Sequence, residues 1–237
     1  MTLLAQRTAP QTITPALVAI SHGTSSPEGQ RAVAGLVNAV AHARDDLHVA
    51  AGFVDVQQPD VSATLGPLDG PAVVIPLLLS AGYHVHVDLR DELQEHPGST
   101  LAKAMGPDDR LVTVLARRLA EVGLRDADSV VLACAGSSDS RAVEDCHEMG
   151  RRLSARLGRS VTVGFISAAS PRVDEAVDIA RQSGQRVAVA TYLLAPGYFN
   201  DLAHATTADL TSGPLLSADE PAPRELVDLV LDRYSGR

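Results

Sequence analysis

Three side chains that can bind a metal ion or accept a proton follow short apolar segments in the first part of the chain. His22 follows ALVAIS, Asp55 lies near the end of HVAAGFVDV, and His84 comes shortly after PAVVIPLLL. Neutral imidazole suits divalent ions such as Fe²⁺, Co²⁺, Ni²⁺ and Zn²⁺, and a carboxylate compensates their charge. A structural zinc site normally has four ligands and more cysteine, whereas three ligands leave positions open for exchange or substrate. The pattern therefore predicts an open, exchanging metal site.

Each of these residues also has a purely structural interpretation. A histidine after a strand can serve as a cap or hydrogen-bonding group, and Asp55 can accept backbone N–H bonds in a turn. His86 would point the same way as His84 if the strand continued through YHVHVD; it is then an auxiliary ligand or, the favoured interpretation, a solvated rim residue. The remaining histidines lie in polar segments and are expected at the surface: His42, His48, His96, His147 and His204.

The apolar segments themselves predict the strands that must position these side chains. Between the first two, Val33, Leu36, Val37 and Val40 recur at helical spacing. Short aliphatic strands alternating with helices are typical of a parallel sheet covered on both faces. We therefore predict an α/β fold.

The second half of the chain repeats the order of the first. SVVLACAGSS corresponds to ALVAISHGTSS, SVTVGFISAASP to HVAAGFVDVQQP, and RVAVATYLLAPGYF to PAVVIPLLLSAGYH. This tandem duplication predicts two similar lobes, each a mainly parallel sheet flanked by helices. We assign residues 1–15 to a leader, 16–115 to a first lobe that carries the site, and 116–237 to a second lobe with a degenerate site.

The duplication acts as an internal control, because both copies must fold but only one needs the chemistry. Residues that match are interpreted as structural: Gly23 with Gly136, Gly82 with Gly197, and Tyr83 with Tyr198. The candidate ligands do not match: His22 corresponds to Ala135, Asp55 to Ser167, and His84 to Phe199. All three are predicted at the carboxyl ends of strands, the edge where open α/β sheets bind ligands.

Composition narrows the class of protein. The formal charge of −9 argues against nucleic acid as a partner, and it favours attraction of divalent cations. Two cysteines outside any CxxC pair do not support a disulfide framework. Residues 1–15 lack the pattern of a secretory signal, and no apolar run approaches the roughly 20 residues that span a bilayer. We expect a cytoplasmic protein without a membrane partner.

The three motifs in this order resemble the sirohydrochlorin chelatases, the small class II chelatases of siroheme and cobalamin synthesis. The stretches that carry the resemblance are ISHGTSS (20–26), GFVDVQQPDV (52–61) and PLLLSAGYHVHVDL (76–89). It covers nearly the whole chain, because the long bacterial members also contain two tandem copies. The chain departs from the family in having Asp55 where many members have Glu, and Leu89–Arg90 where many have Ile-Pro.

The resemblance implies that His22 and His84 bind the metal and accept protons, with Asp55 as an acidic partner. It implies ATP-independent insertion of Fe²⁺, our first choice, or of Co²⁺ or Ni²⁺ into a tetrapyrrole such as sirohydrochlorin. The metal is a substrate, and no prosthetic group is implied. Arg31, Arg44 or Arg90 could pair with substrate carboxylates, although solvated arginine is the favoured interpretation for each.

Two other functions fit part of the pattern. A histidine phosphatase would need an arginine beside its phosphorylated histidine, and Ser21 stands next to His22 instead. A metal or tetrapyrrole carrier without turnover would present the same ligands, so it remains the alternative to a chelatase. The two fused copies could form one cleft within a monomer, since single-copy relatives pair to make the same arrangement.

Overall fold

The computed structural model describes residues 14–80 and 83–236, with the side chains of 83–88 left out. Eight strands are present in this part of the chain: β1 Ala16–Ser21, β2 Val49–Phe53, β3 Ala72–Pro76, β4 Thr100–Leu101, β5 Ser129–Cys134, β6 Val161–Phe165, β7 Val187–Tyr192 and β8 Leu210–Thr211. The helices are α1 Pro27–Ala43, α2 Val61–Leu65, α3 Tyr83–Gln94, α4 Asp109–Glu121, α5 Ser140–Leu157, α6 Val173–Arg181, α7 Tyr198–His204 and α8 Arg224–Tyr234.

The strands form two parallel sheets with the same topology. The first sheet has the order β2-β1-β3-β4 and the second β6-β5-β7-β8. Every strand pair is parallel, and β1 and β5 occupy equivalent central positions with matching registers. The predicted α/β fold with two tandem similar units is therefore confirmed. We call β1–α4 the first repeat and β5–α8 the second repeat.

The central strands are apolar because helices cover both of their faces. All six residues of β1 and all six of β7 are buried, as expected for parallel strands without a solvated face. On the first sheet, Leu17 and Ala19 belong to one buried cluster, whereas Val18 and Ile20 belong to another on the opposite face. This alternation follows the two-residue period of a strand.

One hydrophobic core joins the two sheets. Four helices, α1, α8, α4 and α5, pack in that order, each against the next. Their buried side chains, among them Leu36, Leu115, Met149 and Leu229, belong to the same cluster as residues of both sheets. The smaller helices cover the outer faces: α2 lies against β1 and β2, α3 against β4, and α6 against β5, β6 and β7.

The last helix of each repeat packs on the sheet of the other repeat. α4, from the first repeat, lies against β7, and α8, from the second repeat, lies against β3. Equivalent arginines fix both contacts. Nε of Arg118 donates to the Pro214 carbonyl oxygen at 3.1 Å, and Nε of Arg233 donates to the Ala104 carbonyl oxygen at 3.0 Å. The repeats thus exchange helices.

The predicted lobe boundary between residues 115 and 116 falls inside α4, and it stays a prediction. In sequence α4 belongs to the first repeat, but in space it packs on the sheet of the second repeat. A boundary drawn by sequence therefore differs from one drawn by packing. Within residues 14–80 and 83–236, no helix is long and apolar enough to cross a membrane.

Candidate active site

His22 is the first residue after β1 and is exposed at the carboxyl edge of the first sheet. The next residue, Gly23, has a φ of +91°, and a Cβ there would lie 2.1 Å from the Asp55 carbonyl oxygen. Only glycine combines this conformation with so close an approach. The turn is then tied to α1, because Ser26 caps the helix by accepting a hydrogen bond from the Gly29 N–H at 3.3 Å.

Asp55 lies in the loop after β2 and is held beside His22 by the backbone. Its N–H donates to the His22 carbonyl oxygen at 3.0 Å. Its carboxylate is exposed, and Oδ1 accepts a hydrogen bond from the Val56 N–H at 2.7 Å. Val56 has a φ of +62°, which is unusual for a β-branched residue. The structure therefore brings Asp55 next to His22, and it also shows the turn contact that the structural interpretation of Asp55 requires.

Gln57 connects the two loops and was not identified from the sequence. Its side-chain Oε1 accepts a hydrogen bond from the Thr24 N–H at 2.9 Å. The equivalent position in the second repeat is Ala169, which cannot make this bond. Comparison of the two repeats, extended by two residues beyond Asp55, would have found it.

The second repeat has the same loops without the candidate ligands. The Ser167 N–H donates to the Ala135 carbonyl oxygen at 2.9 Å, as Asp55 does to His22, and Gly136 has a φ of +92°. Because Ser167 has a hydroxyl, its Oγ also donates to the Ala135 carbonyl oxygen at 2.9 Å. The predicted correspondences His22–Ala135 and Asp55–Ser167 thus hold in three dimensions. The scaffold is shared and the ionisable groups are not.

The sequence had predicted His84 at the end of a strand. In the structure His84 lies on a helix. β3 ends at Pro76, and α3 begins at Tyr83, so His84 is the second residue of that helix. The condition under which His86 would share its direction, a continuing strand, is therefore not met. The side chains of both histidines lie outside the described residues. In the second repeat Phe199 is likewise the second residue of its helix, α7, which agrees with the predicted correspondence.

Where side chains are described, no group of three or more His, Cys, Asp or Glu residues lies close enough to hold a metal ion. His84, a predicted ligand, is not among those side chains. The convergence of His22, Asp55 and His84 on one metal ion consequently stays a prediction, of which the structure describes the adjacency of His22 and Asp55.

A cavity of about 190 Å³ opens beneath these loops, between α1 and the ends of β1 and β2. Its lining is mostly apolar, with polar groups from Ser21, Gln30 and Gln57. Pockets that enclose drug-sized ligands span about 300–1,000 Å³. The cavity is thus smaller than pockets of that kind.

At the matching place the second repeat has larger side chains. Tyr192 replaces Leu77, Cys134 replaces Ser21, and His147 packs edge-on against Phe165 with ring centroids 5.7 Å apart. Burial raises the pKa of the Cys134 thiol well above its usual range, which disfavours the reactive thiolate. Both Cys134 and Cys146 are free and buried.

Tyr198 differs from its predicted structural role. Its side chain is 71% exposed at the start of α7, and the neighbouring Phe199 is 36% exposed. A residue that the fold needs for packing would be buried. Packing in the core of the second repeat therefore does not explain why Tyr198 matches Tyr83.

Known proteins resemble this chain in both sequence and fold. The sequence pattern of the CbiX family matches residues 16–122 and 129–215, one match in each repeat. A sirohydrochlorin cobaltochelatase from Methanococcoides burtonii is 28% identical over 91 residues, which make up 37% of this chain and 70% of that protein. That relative is consequently about half as long as this chain.

Two solved structures share the fold along nearly the whole chain. SirB from Bacillus subtilis with Fe³⁺ superimposes with a TM-score of 0.77 at 18% identity, covering 94% of this chain and 96% of that one. SirB from Bacillus subtilis subspecies spizizenii in complex with cobalt gives a TM-score of 0.71 at 17% identity, covering 94% of both chains. The two-sheet arrangement with tandem repeats is therefore a known fold.

Proposed function

We propose a metal-insertion activity for this chain, which belongs to the CbiX family of sirohydrochlorin chelatases, as its motifs predicted. The chain inserts a divalent metal ion into sirohydrochlorin, in the cytoplasm and without ATP. Fe²⁺ is our first choice and Co²⁺ the second, for siroheme or cobalamin synthesis. The observation that carries the proposal is the adjacency of His22 and Asp55 at the carboxyl edge of one sheet, through a backbone hydrogen bond. The equivalent loops of the second repeat keep this backbone contact but have Ala135 and Ser167 at the two positions.

The chemistry requires a metal carrier and a proton acceptor at the same place. Insertion of M²⁺ into a free-base tetrapyrrole forms four metal–nitrogen bonds and releases two pyrrole protons. A neutral imidazole can hold the ion and then accept a proton, since its unperturbed pKa of about 6.5 lies near working pH. We assign these roles to His22 and His84. The Asp55 carboxylate would offset the charge of the ion or pass a proton to solvent.

The types of ligand do not select one metal, because imidazole and carboxylate groups bind Fe²⁺, Co²⁺ and Ni²⁺ alike. The solved relatives hold Fe³⁺ in one case and cobalt in the other. Both observations support a site that accepts more than one first-row metal.

The test is an anaerobic spectrophotometric assay of sirohydrochlorin with each metal in the absence of nucleotide. We expect the wild-type chain to produce the metallated macrocycle over many turnovers, and His22→Ala and His84→Ala each to abolish insertion while the far-UV circular dichroism stays unchanged. His42→Ala is the matched control, because His42 is exposed on α1 and, among the described residues, its side chain hydrogen-bonds to the Asn38 carbonyl oxygen of its own helix.

Two results would contradict the proposal. Near-normal turnover in either active-site variant would remove that histidine from the mechanism. Binding of metal and macrocycle by the wild-type chain without catalytic formation of product would identify a carrier in place of an enzyme.

A further inference from the structure

Two neighbouring aromatic side chains are exposed on the first turn of α7. Tyr198 is 71% and Phe199 36% exposed, with ring centroids 6.2 Å apart and ring planes inclined at 51°. The chain has only four tyrosines, three phenylalanines and no tryptophan, whereas Phe165 and Tyr192 are fully buried. Two adjacent aromatic rings exposed to water forgo the favourable free energy of burying their apolar surface, and exposed rings of this kind are typical of binding sites.

The aromatic pair lies at the junction of the two repeats, close to the loop that carries His22. Tyr198 directly follows Gly197, where a side chain would come within 3.2 Å of Thr24 Oγ1. On the facing helix, a Cβ at Gly29 would lie 2.3 Å from the Pro196 carbonyl oxygen. Glycine at these two positions lets the chain before α7 touch the loop between His22 and α1.

The repeat symmetry gives the pair the same relation to the second sheet that His84 has to the first. Phe199 and His84 are each the second residue of the helix that follows the third strand of their repeat. The second repeat thus places an aromatic ring where the first repeat has a candidate metal ligand.

We propose that Tyr198 and Phe199 form a stacking surface for one face of the flat, conjugated macrocycle, so that the second repeat contributes substrate binding in place of metal binding. This inference rests on the proposed function. The cavity of about 190 Å³ between α1 and the first sheet is smaller than pockets that enclose drug-sized ligands, so an open platform would carry much of the contact area of the macrocycle.

The test measures equilibrium binding of metal-free sirohydrochlorin by its absorbance, under anaerobic conditions and without added metal. We expect Tyr198→Ala and Phe199→Ala each to raise the Kd about tenfold, in the range found for loss of one aromatic stacking partner. Tyr198→Phe keeps the ring and should bind as the wild type does. Tyr198→Leu keeps apolar area without a π face and should bind more weakly than Tyr198→Phe.

Two controls separate stacking from other effects. Ile179→Ala removes an apolar side chain that is 49% exposed on α6, and it should leave the Kd unchanged. Co²⁺ binding in the absence of macrocycle should be the same in wild type, Tyr198→Ala and Phe199→Ala, because neither ring is assigned to the metal.

The possible failures are distinguishable. Wild-type affinity in both alanine variants would overturn the stacking surface while leaving a chelatase with active His22 intact. No macrocycle binding by the wild-type chain would overturn the proposed function together with this inference. If Tyr198→Ala instead abolished a concentration-dependent dimer in sedimentation, and macrocycle affinity did not change, the occupant of the surface would be a second copy of the chain.

Discussion

Gly23 is the residue on which the geometry of the His22 turn depends most directly. It has a positive φ, and its missing Cβ allows the Asp55 carbonyl oxygen to approach. Gly136 has the same conformation in the second repeat, where a Cβ would meet the Ser167 carbonyl oxygen at 1.8 Å. Two glycines thus perform one structural task, but only the first adjoins candidate catalytic groups.

Gly23→Ala and Gly136→Ala should therefore cost similar stability and differ in activity. Both add left-handed strain and a steric clash, for which we expect about 1–3 kcal/mol of destabilisation in urea unfolding. Only Gly23→Ala should strongly lower metal insertion, because it displaces the loops of His22 and Asp55. Gly35→Ala on α1, where an added Cβ meets nothing within 4 Å, should be neutral or stabilising. Equal activity loss in both repeats would argue against a degenerate second site.

Asp108 links elements from both repeats at the start of α4. Its carboxylate caps the helix by accepting from the Arg110 N–H at 3.0 Å, and it pairs with the side chains of Arg110 at 2.8 Å and Arg233 at 3.4 Å. Burial acts to raise the pKa of Asp108, but the hydrogen bonds from Arg110 and the charges of Arg110 and Arg233 outweigh it, so the pKa is lowered.

The junction of α4 and α8 should consequently weaken in acid. Because the pKa of Asp108 is lower in the folded chain than the value of about 3.9 for an unfolded aspartate, its contribution is complete above that value. It is lost as the pH falls through the folded-state pKa. Asp108→Asn keeps a good N-cap, and it removes the charge together with the Oδ2 acceptor that Arg110 uses at 2.9 Å.

We expect Asp108→Asn to lower the free energy of unfolding by about 1–2 kcal/mol at pH 7, with a difference that shrinks towards pH 3. Urea denaturation at a series of pH values measures it. Asp69→Asn, in an exposed loop, should track the wild type throughout. A difference for Asp108→Asn that is constant with pH would show that the charge does not stabilise the junction.

The exchange of α4 and α8 joins the two repeats through one core. The shared core takes side chains from both sheets and from the helices between them, and the Tyr192 hydroxyl donates to the Leu79 carbonyl oxygen at 2.8 Å across the repeats. Neither sheet could therefore keep one of its faces covered if the other repeat unfolded.

We expect a single unfolding transition in urea, with coincident curves from far-UV circular dichroism and tyrosine fluorescence. Arg118→Ala should shift that transition by about 2–3 kcal/mol, because it removes a buried side chain and leaves the Pro214 carbonyl oxygen unpaired. Arg117→Ala is the neighbouring control, since it breaks only a partly exposed ion pair with Glu225 that contributes about 0–1 kcal/mol. Two separate transitions in the wild type would contradict the shared core.

The sequence predicted the three longer strands of each repeat, because each depends on local information, but not the two-residue strands β4 and β8. Buried parallel strands need continuous aliphatic runs, and the turns after β1 and β5 need glycine at the same place, so both copies show the same pattern. The adjacency of His22 and Asp55 followed from the rule that strand ends share one edge. His84 was predicted at the end of the third strand, and it lies at the start of the helix that follows that strand; the alternation in YHVHVD did not decide whether the strand continued.

By itself the amino-acid sequence determined the α/β class, the duplication, and the loops on which ionisable groups replace inert ones, since apolar periodicity and paired copies are properties of the chain. Tertiary structure alone decided three features. Each of the helices α4 and α8 packs on the sheet of the other repeat, Gln57 joins two loops, and the side chain of Tyr198 is exposed to solvent. These features depend on which surfaces meet between residues far apart in the chain, and local sequence does not encode that choice of neighbour.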